Sequence, residues 1–458
     1  MSLPKYREYK ASGLSWADEL PAHWSTASLK WLCKRYSGGT PDKARMEFWE
    51  NGTIPWLNSG AVNDGRIYEA SAYITHKAFE SSSAKWIPPG ALLMALAGQG
   101  KTKGMVAQLM FESTCNQSMA AIVPTTRIDA RYLYWWLTCN YQNIRNMAGG
   151  DLRDGLNLDL LGAIPCPLPL ADEQTAIATF LDRETAKIDT LIAEQEKLIG
   201  LLAEKRQATI SHTVTKGLNP NALLKNSGVA WLGDVPAHWN IKKLRYLLKR
   251  NGLIRGPFGG DLKKEIFVDK GIKVYEQKNA IYKSFQLGDS YITAGKFSEM
   301  TRFSVAAGDY IMSCSGTIGK VYRIPHGAPP GIINQALLIL RFQDCLVEGY
   351  IDWLLIADFF LSQIIDNSQG GAMKNLVGMD VFTSISLPLP PPKEQYDIAN
   401  HLNAEIKNLD KLVAEAEHGI ALLQERRSAL IAAAVTGQID VRGAVSKAGV
   451  YSLGGIAA

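Results

Sequence analysis

The chain has 458 residues, 47% of them hydrophobic, and a formal net charge of +5. That length exceeds one ordinary core, so two or more domains are expected, while the mild positive excess permits a polyanionic partner without establishing one. No apolar run reaches the roughly 18–20 residues that span a bilayer, and the opening MSLPKYREYK has no signal-peptide core. Six scattered cysteines without a C-x-x-C pair read as reduced thiols in a cytoplasmic protein.

Taken in order, the chain repeats itself. Lys10–Trp24 (KASGLSWADELPAHW) returns near the middle of the chain as Lys225–Trp239 (KNSGVAWLGDVPAHW). The repeat divides the chain into an N-terminal segment (1–24), a globular stretch (25–170) and a helix (171–215). A connector (216–239), a second globular stretch (240–392), a second helix (393–436) and a Gly/Ala/Ser-rich tail (437–458) follow. Each globular stretch closes on a Pro-rich hinge, Ile164–Leu170 or Leu387–Pro392, and Glu-Gln then opens a long helix at Glu173-Gln174 and Glu394-Gln395.

Strong helix formers fill both helical stretches. Ile177, Leu181, Ile188, Leu191, Leu198 and Leu202 follow a four-three spacing, and Ile398, Leu402, Leu409, Leu412, Leu423 and Leu430 repeat that seam in the second helix. This is the seam of a coiled coil, and neither helix can bury its seam alone. Two unrelated amphipathic helices in separate cores would not match in phase, length and flanks. Antiparallel pairing about a pseudo-dyad is expected, with one globular domain at each end of the rod. Polar Glu184/Glu405 and Lys205/Arg426 recur at matching seam positions and are expected to set register. The Gly437–Asp440 stretch should lie near Lys5–Tyr9.

The globular halves read as mixed α/β. Strands are expected at Ala91–Leu96, Ala120–Val123, Asp309–Ser313 and Ala336–Leu340, with helices over Arg131–Arg145 and Gly349–Asp366. Gly90/Gly308, Gly98/Gly316 and Asn116-Gln117/Asn334-Gln335 share one offset, whereas Ser37–Pro41 and Ile54–Asn58 show no counterpart after Trp239.

Catalytic and metal motifs are missing. Gly98-Gln-Gly-Lys-Thr-Lys-Gly104 suggests a phosphate loop, but Ala95 stands where a Walker A loop needs its first glycine. The second half instead carries Ser315-Gly-Thr-Ile-Gly-Lys320. Either loop could be a plain hairpin connection or could place Lys101 or Lys320 on a phosphate. The seven histidines show no metal-ligand spacing, and His23 and His238, in the repeated Pro-Ala-His-Trp, read as packing elements. Lys34, Arg35, Arg45, Lys101, Lys103 and Arg153 in the first half are candidate nucleic-acid contacts. Lys249, Arg250, Arg255, Lys263, Lys320 and Lys374 are their counterparts in the second. Such cations supply a salt-dependent phosphate term, while Arg, Asn and Gln read base edges.

The duplicated Ser-Gly-x-x-Trp…Pro-x-His-Trp, the hinge with Glu-Gln and a long helix, and the Gly149–Arg153 and Gly370–Lys374 segments together resemble the specificity subunits of type I restriction-modification enzymes. The resemblance covers nearly the whole chain. It implies an α+β architecture of two target-recognition domains separated by two antiparallel helices. It also implies a non-catalytic subunit that reads a bipartite double-stranded DNA site. Two methyltransferase subunits using S-adenosylmethionine would dock on the helices, joined where present by two restriction subunits using ATP and magnesium. No cofactor is expected on this chain. The rival readings are a DNA-binding adaptor without methyltransferase partners, or a nucleotide-binding enzyme acting through Gly98–Gly104.

Overall fold

The computed structural model describes residues 4–98, 100–148, 155–366 and 375–444. The chain divides into two compact units, one of residues 1–195 with 418–458 and one of residues 196–417. Both boundaries fall inside long helices, Ala171–Lys216 and Pro392–Val435. Asp172 and Glu173 occupy the positive end of the first helix, Pro392 opens the second, and positive-φ Gly217 and Gly437 follow their ends.

Within each unit the helix segments run antiparallel. In the first, the Asp189 carboxylate accepts from Arg427 Nε at 2.7 Å and Nη2 at 3.2 Å, while Ile177–Leu181 share a core with Ile431, Ala434 and Val435. In the second, Arg206 pairs with Asp410, and Leu202, Ile210 and Val214 share a core with Ile398, Leu402, Ile406 and Leu409. The expected seam is correct in only one of its two rows. Ile177, Leu181, Ile188, Leu202, Ile398, Leu402 and Leu409 are buried and Leu423 and Leu430 partly so, but Leu191, Leu198 and Leu412 are 45%, 41% and 47% exposed. The second inward row lies at the next position along, at Thr185, Ile192, Ile199 and Arg206, with Ile406, Val413, Ile420 and Arg427 as its repeat.

Register therefore rests on Arg206–Asp410 and Arg427–Asp189, not on the positions expected. Glu184 binds Arg183 and Lys187 of its own helix at 2.8 and 3.0 Å, and Lys205 and Arg426 face solvent. The apolar spacing suited two adjacent rows equally well. The row that carries the inter-helix arginine is the one that faces inward.

Each helix start is a built junction. Glu173 is 3% exposed; His23 Nε2 lies 3.0 Å from both its oxygens, Trp24 Nε1 donates to it at 3.1 Å, and the Leu170 N–H donates at 3.3 Å. Glu394 repeats the pattern with His238 at 2.6 Å and Trp239 Nε1 at 2.8 Å. The adjacent Gln174 and Gln395 amides donate to the hinge carbonyls of Pro169 and Pro390 at 3.0 and 2.8 Å, and their carbonyls accept from Asp129 and Val347 N–H. The histidines, read from their context as packing elements, are half-exposed partners of the helix-start carboxylates. Trp24 and Trp239 are fully buried, and an indole hiding roughly 200 Å² contributes about 5 kcal/mol at ~25 cal/mol/Å².

Tyr132 and Tyr350, both fully buried, donate to the hinge at Pro167 and Pro388 (3.2 Å each) and to the far end of the other long helix at Val435 (3.4 Å) and Val214 (3.2 Å). The stretch after Val435 meets the N-terminus as expected, with Tyr9 Oη donating to Gly437 O at 3.0 Å and Asp440 N–H to Pro4 O at 2.7 Å. The N-terminal hairpin Tyr9–Leu14/Ala17–Pro21 has its equivalent in Leu224–Asn226/Asp234–Pro236. The start of the tail is held in place: Arg442 pairs with Asp440 at 2.7 Å and with Glu173 at 3.3 Å.

The globular part of the first unit has a five-stranded sheet ordered Cys33–Ser37, Met119–Pro124, Leu92–Ala95, Val106–Leu109, Arg66–Ile67. Beside it is a three-stranded sheet ordered Thr114–Cys115, Ile54–Leu57, Ala72–Ile74. The second unit has sheets ordered Leu248–Arg255, Leu337–Phe342, Tyr310–Ser313, Val321–Arg323 and Tyr291–Ile292, Ile272–Tyr275, Gly331–Ile333, Ser304–Val305. The expected strands are present. The first expected helix is broken into Ala130–Cys139 and Tyr141–Asn146, and the second into Glu348–Leu354 and Asp358–Ile364.

The supposed lack of counterparts for Ser37–Pro41 and Ile54–Asn58 is wrong. Ile54–Leu57 pairs in parallel with Thr114–Cys115 through Trp56↔Thr114. Ile272–Tyr275 pairs in parallel with Gly331–Ile333 through Val274↔Ile332, the same place in the repeat. Gly38 and Gly256 are likewise equivalent, since a Cβ at either would overlap the carbonyl of Cys115 or Asn334. Backbone geometry was kept while side-chain identity drifted. All six cysteines are unpaired, and burial pushes the Cys33 and Cys115 thiols up to about 12.

Candidate nucleic-acid interface

In each unit, loops that follow four strands converge at one end of the sheets. In the first, Gly39 N–H donates to Cys115 O at 2.8 Å, Asn116 N–H to Leu57 O at 2.9 Å, and Leu96 N–H to Ser118 O at 2.8 Å. These bonds tie together the loops after Cys33–Ser37, Ile54–Leu57, Leu92–Ala95 and Thr114–Cys115. In the second, Asn334 N–H donates to Tyr275 O and Cys314 N–H to Ala336 O, both at 2.9 Å. Gln277 Nε2 reaches Thr317 O at 3.0 Å and also Ser315 O.

Side chains that emerge there are polar and cationic. Gln117 and Gln335 are exposed at the tips of equivalent turns, and Asn58 and Lys101 face solvent in the first cluster. In the second, exposed Arg255 ends its strand beside Cys314, whose thiol burial pushes up while Arg255 pulls it down. Lys263 and Lys320 are exposed, and Phe258 is 88% exposed. Such a surface can fix phosphates with its cations and offer amide donors and acceptors to base edges.

The predicted contacts do not all gather here. Lys101, Arg255, Lys263 and Lys320 belong to the loop clusters. Arg45 is exposed but lies 5.3 Å over the Phe48 ring and 3.9 Å from Glu47. Lys34, Lys249 and Arg250 are exposed near the starts of their strands, away from the loops, and Lys249 pairs with Asp344 at 3.0 Å. Two assignments are corrected by burial: Lys103 is only 4% exposed, and the Arg35 guanidinium packs against Gly162 with Nε and Nη1 buried and unpaired. Arg153, Lys374 and the glycine-rich segments around them lie outside the described residues.

Gln117, Gln335, Gln277 and Phe258 also belong to the loop clusters and were not among the candidates read from the sequence. The Asn-Gln pair repeated in both halves was the available signal, used only as a landmark. The Gly98–Gly104 loop connects the antiparallel strands Leu92–Ala95 and Val106–Leu109, so no helix N-terminus follows it to cradle a phosphate. Among the described residues no cluster of His, Cys, Asp and Glu could hold a metal, and no helix is long and apolar enough to cross a membrane.

Comparison with known proteins agrees with this arrangement. The type I restriction modification DNA specificity domain matches residues 21–199 and 262–418. The EcoR124I/EcoR124II specificity subunit of Escherichia coli is 31% identical over 195 residues, 42% of this chain and 46% of that protein, so this match spans under half the relative. The StySPI specificity subunit of Salmonella potsdam is 20% identical over 442 residues, 93% of this chain and 91% of that one. In fold, the chain is similar to a subunit solved in a study of the assembly and conformational transition of the type I R-M system (TM-score 0.66, 17% identity, 91% of this chain and 99% of that). It is also similar to the HsdS subunit of Thermoanaerobacter tengcongensis (TM-score 0.55, 14% identity, 91% and 98%). With matched motifs, a matched family domain and a repeated fold in agreement, this chain belongs to the type I restriction-modification family as a DNA sequence-specificity subunit.

Proposed function

We propose that the two loop clusters each read one half of a bipartite double-stranded DNA site, and that the paired helices set the spacer and dock two methyltransferase subunits. The chain itself performs no chemistry. S-adenosylmethionine belongs to the methyltransferase subunits, and ATP with magnesium belongs to restriction subunits where these join.

The supporting observation is the repeat of the helices in outward as well as inward positions. Leu191 and Leu412, equivalent in the repeat, are 45% and 47% exposed, and the equivalent pair Leu201 and Leu422 are both 52% exposed. Leucines left in water at matched places suit a partner that binds twice. A helix of 46 residues is roughly 69 Å long at 1.5 Å per residue, enough to span half-sites about one DNA turn, or 34 Å, apart.

Methylation mapping of a variant with one heptad inserted into each helix tests the ruler. The spacer is expected to change while both half-sites persist, and altered half-sites with an unchanged spacer would defeat the idea. Exchanging residues 25–170 for another target-recognition domain is expected to change one half-site only. Failure of any methyltransferase subunit to co-purify with the chain would favour the adaptor reading.

A further inference from the structure

One surface repeats in both units and lies outside the loop clusters. Leu29–Trp31 and Leu244–Tyr246 are single 3-10 turns that lead into the first strand of each main sheet. Leu29 and Leu244 are fully buried, and their N–H groups donate to Ile164 O and Ile385 O at 2.9 and 2.8 Å, anchoring each turn to the segment before the long helix. With that anchor fixed, the third residue points outward. Trp31 is 65% exposed and Tyr246 61%.

A cation covers each ring: Lys30 Nζ lies 5.3 Å from the Trp31 centroid, and the Arg245 guanidinium carbon 5.7 Å from the Tyr246 centroid. Exposed Lys34 stands close by in sequence in the first unit and exposed Arg250 in the second, where Lys249, the repeat equivalent of Lys34, pairs with Asp344 at 3.0 Å; among the described residues no carboxylate pairs with Lys30, Lys34, Arg245 or Arg250. Arg35 adds buried positive charge beside Lys30, since both pack against Gly162. The two patches are therefore alike in aromatic and stacked cation, and each keeps cations that no carboxylate balances, although one lysine of the second is paired with Asp344.

Their place argues against base reading. Each turn precedes its strand, whereas the converging loops follow the strand's far end; in the second unit that strand has 8 residues, about 26 Å at 3.3 Å per residue. The loop clusters differ between the units, but this patch is the same in both. Whatever it meets is therefore the same in both. An exposed Trp or Tyr beside Arg or Lys is the chemistry of an interface hot spot, and the uncompensated charge selects an acidic face.

We propose that Lys30-Trp31 and Arg245-Tyr246 are two copies of one docking point for an acidic surface on the methyltransferase subunit, one subunit per unit of this chain. This rests on the docking reading above and adds to the exposed leucines a second, charged contact on each globular unit. The patch positions the partner and takes no part in base choice.

Native mass spectrometry of the chain co-expressed with its methyltransferase subunit tests this. Trp31→Ala and Tyr246→Ala are each expected to reduce the partner from two copies to one, with at least a ten-fold loss of affinity at the altered site. The double variant loses both copies. Trp31→Tyr and Tyr246→Trp keep the aromatic and retain binding, which separates docking from misfolding. Unchanged stoichiometry and affinity in the alanine variants would overturn the proposal. So would an equal loss of specific and non-specific DNA binding with a shallower salt dependence, the mark of a phosphate contact. If the unaltered chain captures no methyltransferase subunit, the docking reading falls and this patch with it. If the unaltered chain captures two copies and the alanine variants do the same, this patch alone is refuted.

Discussion

The two helix starts are copies of one design with unequal burial. Glu173 is 3% exposed and meets His23, Trp24, the Leu170 N–H and Arg442, whereas the Glu394 side chain is 40% exposed and meets His238 and Trp239. The difference comes from the segment after each helix. In the first unit Asp440 and Arg442 fold back over the junction; at the matching places of the repeat stand Asn219 and Asn221, which carry no charge. A repeated motif thus sets the partners, and the local surroundings set how much each bond is worth.

That contrast can be broken. Glu173→Ala strands a buried indole N–H and a backbone N–H and removes one of the two carboxylates that Arg442 meets, so the first unit is expected to lose about 3 kcal/mol, against about 1 kcal/mol in the second for Glu394→Ala. Hydrogen exchange of peptides covering residues 20–30 and 165–180, compared with 235–245 and 390–400, measures both; equal losses would show that burial is not what separates them. Tyr132→Phe and Tyr350→Phe remove equivalent hydroxyls from equally buried sites. Each should cost about 1 kcal/mol in denaturant unfolding, and a two-fold difference would mean the tyrosine ties are not equivalent.

Smaller effects sharpen it further. Arg206→Ala and Arg427→Ala break ion pairs with half-exposed aspartates and should each cost about 0.5 kcal/mol, shrinking in high salt. Arg442 holds the Asp440 carboxyl below the usual aspartate range. A depressed folded pKa gives stability that is present above the unfolded value and lost as pH falls through the folded one. The first unit should therefore shed this clasp in acid below the ordinary aspartate range, and Asp440→Asn should remove that extra acid sensitivity. An unchanged acid unfolding profile in Asp440→Asn would count against the clasp.

The residues by themselves determined the duplication, the paired long helices and the junction motifs. Each of these depends on spacing or local propensity, and the chain states them twice. The tertiary structure decided what periodicity leaves open. Two adjacent rows satisfied the heptad, and only the folded helix pair left Thr185 buried and Ile192 and Ile199 half-buried while Leu191 and Leu198 stay exposed. Cations were visible as a type but not as a place: Lys103 and the Arg35 guanidinium went inside, while Lys101, Arg255 and Lys320 reached the loop ends. Which loops meet depends on pairings between strands far apart in the chain. A local pattern cannot encode that, because the bonds that bring Gly39 to Cys115 and Asn116 to Leu57 exist only once the sheets have formed.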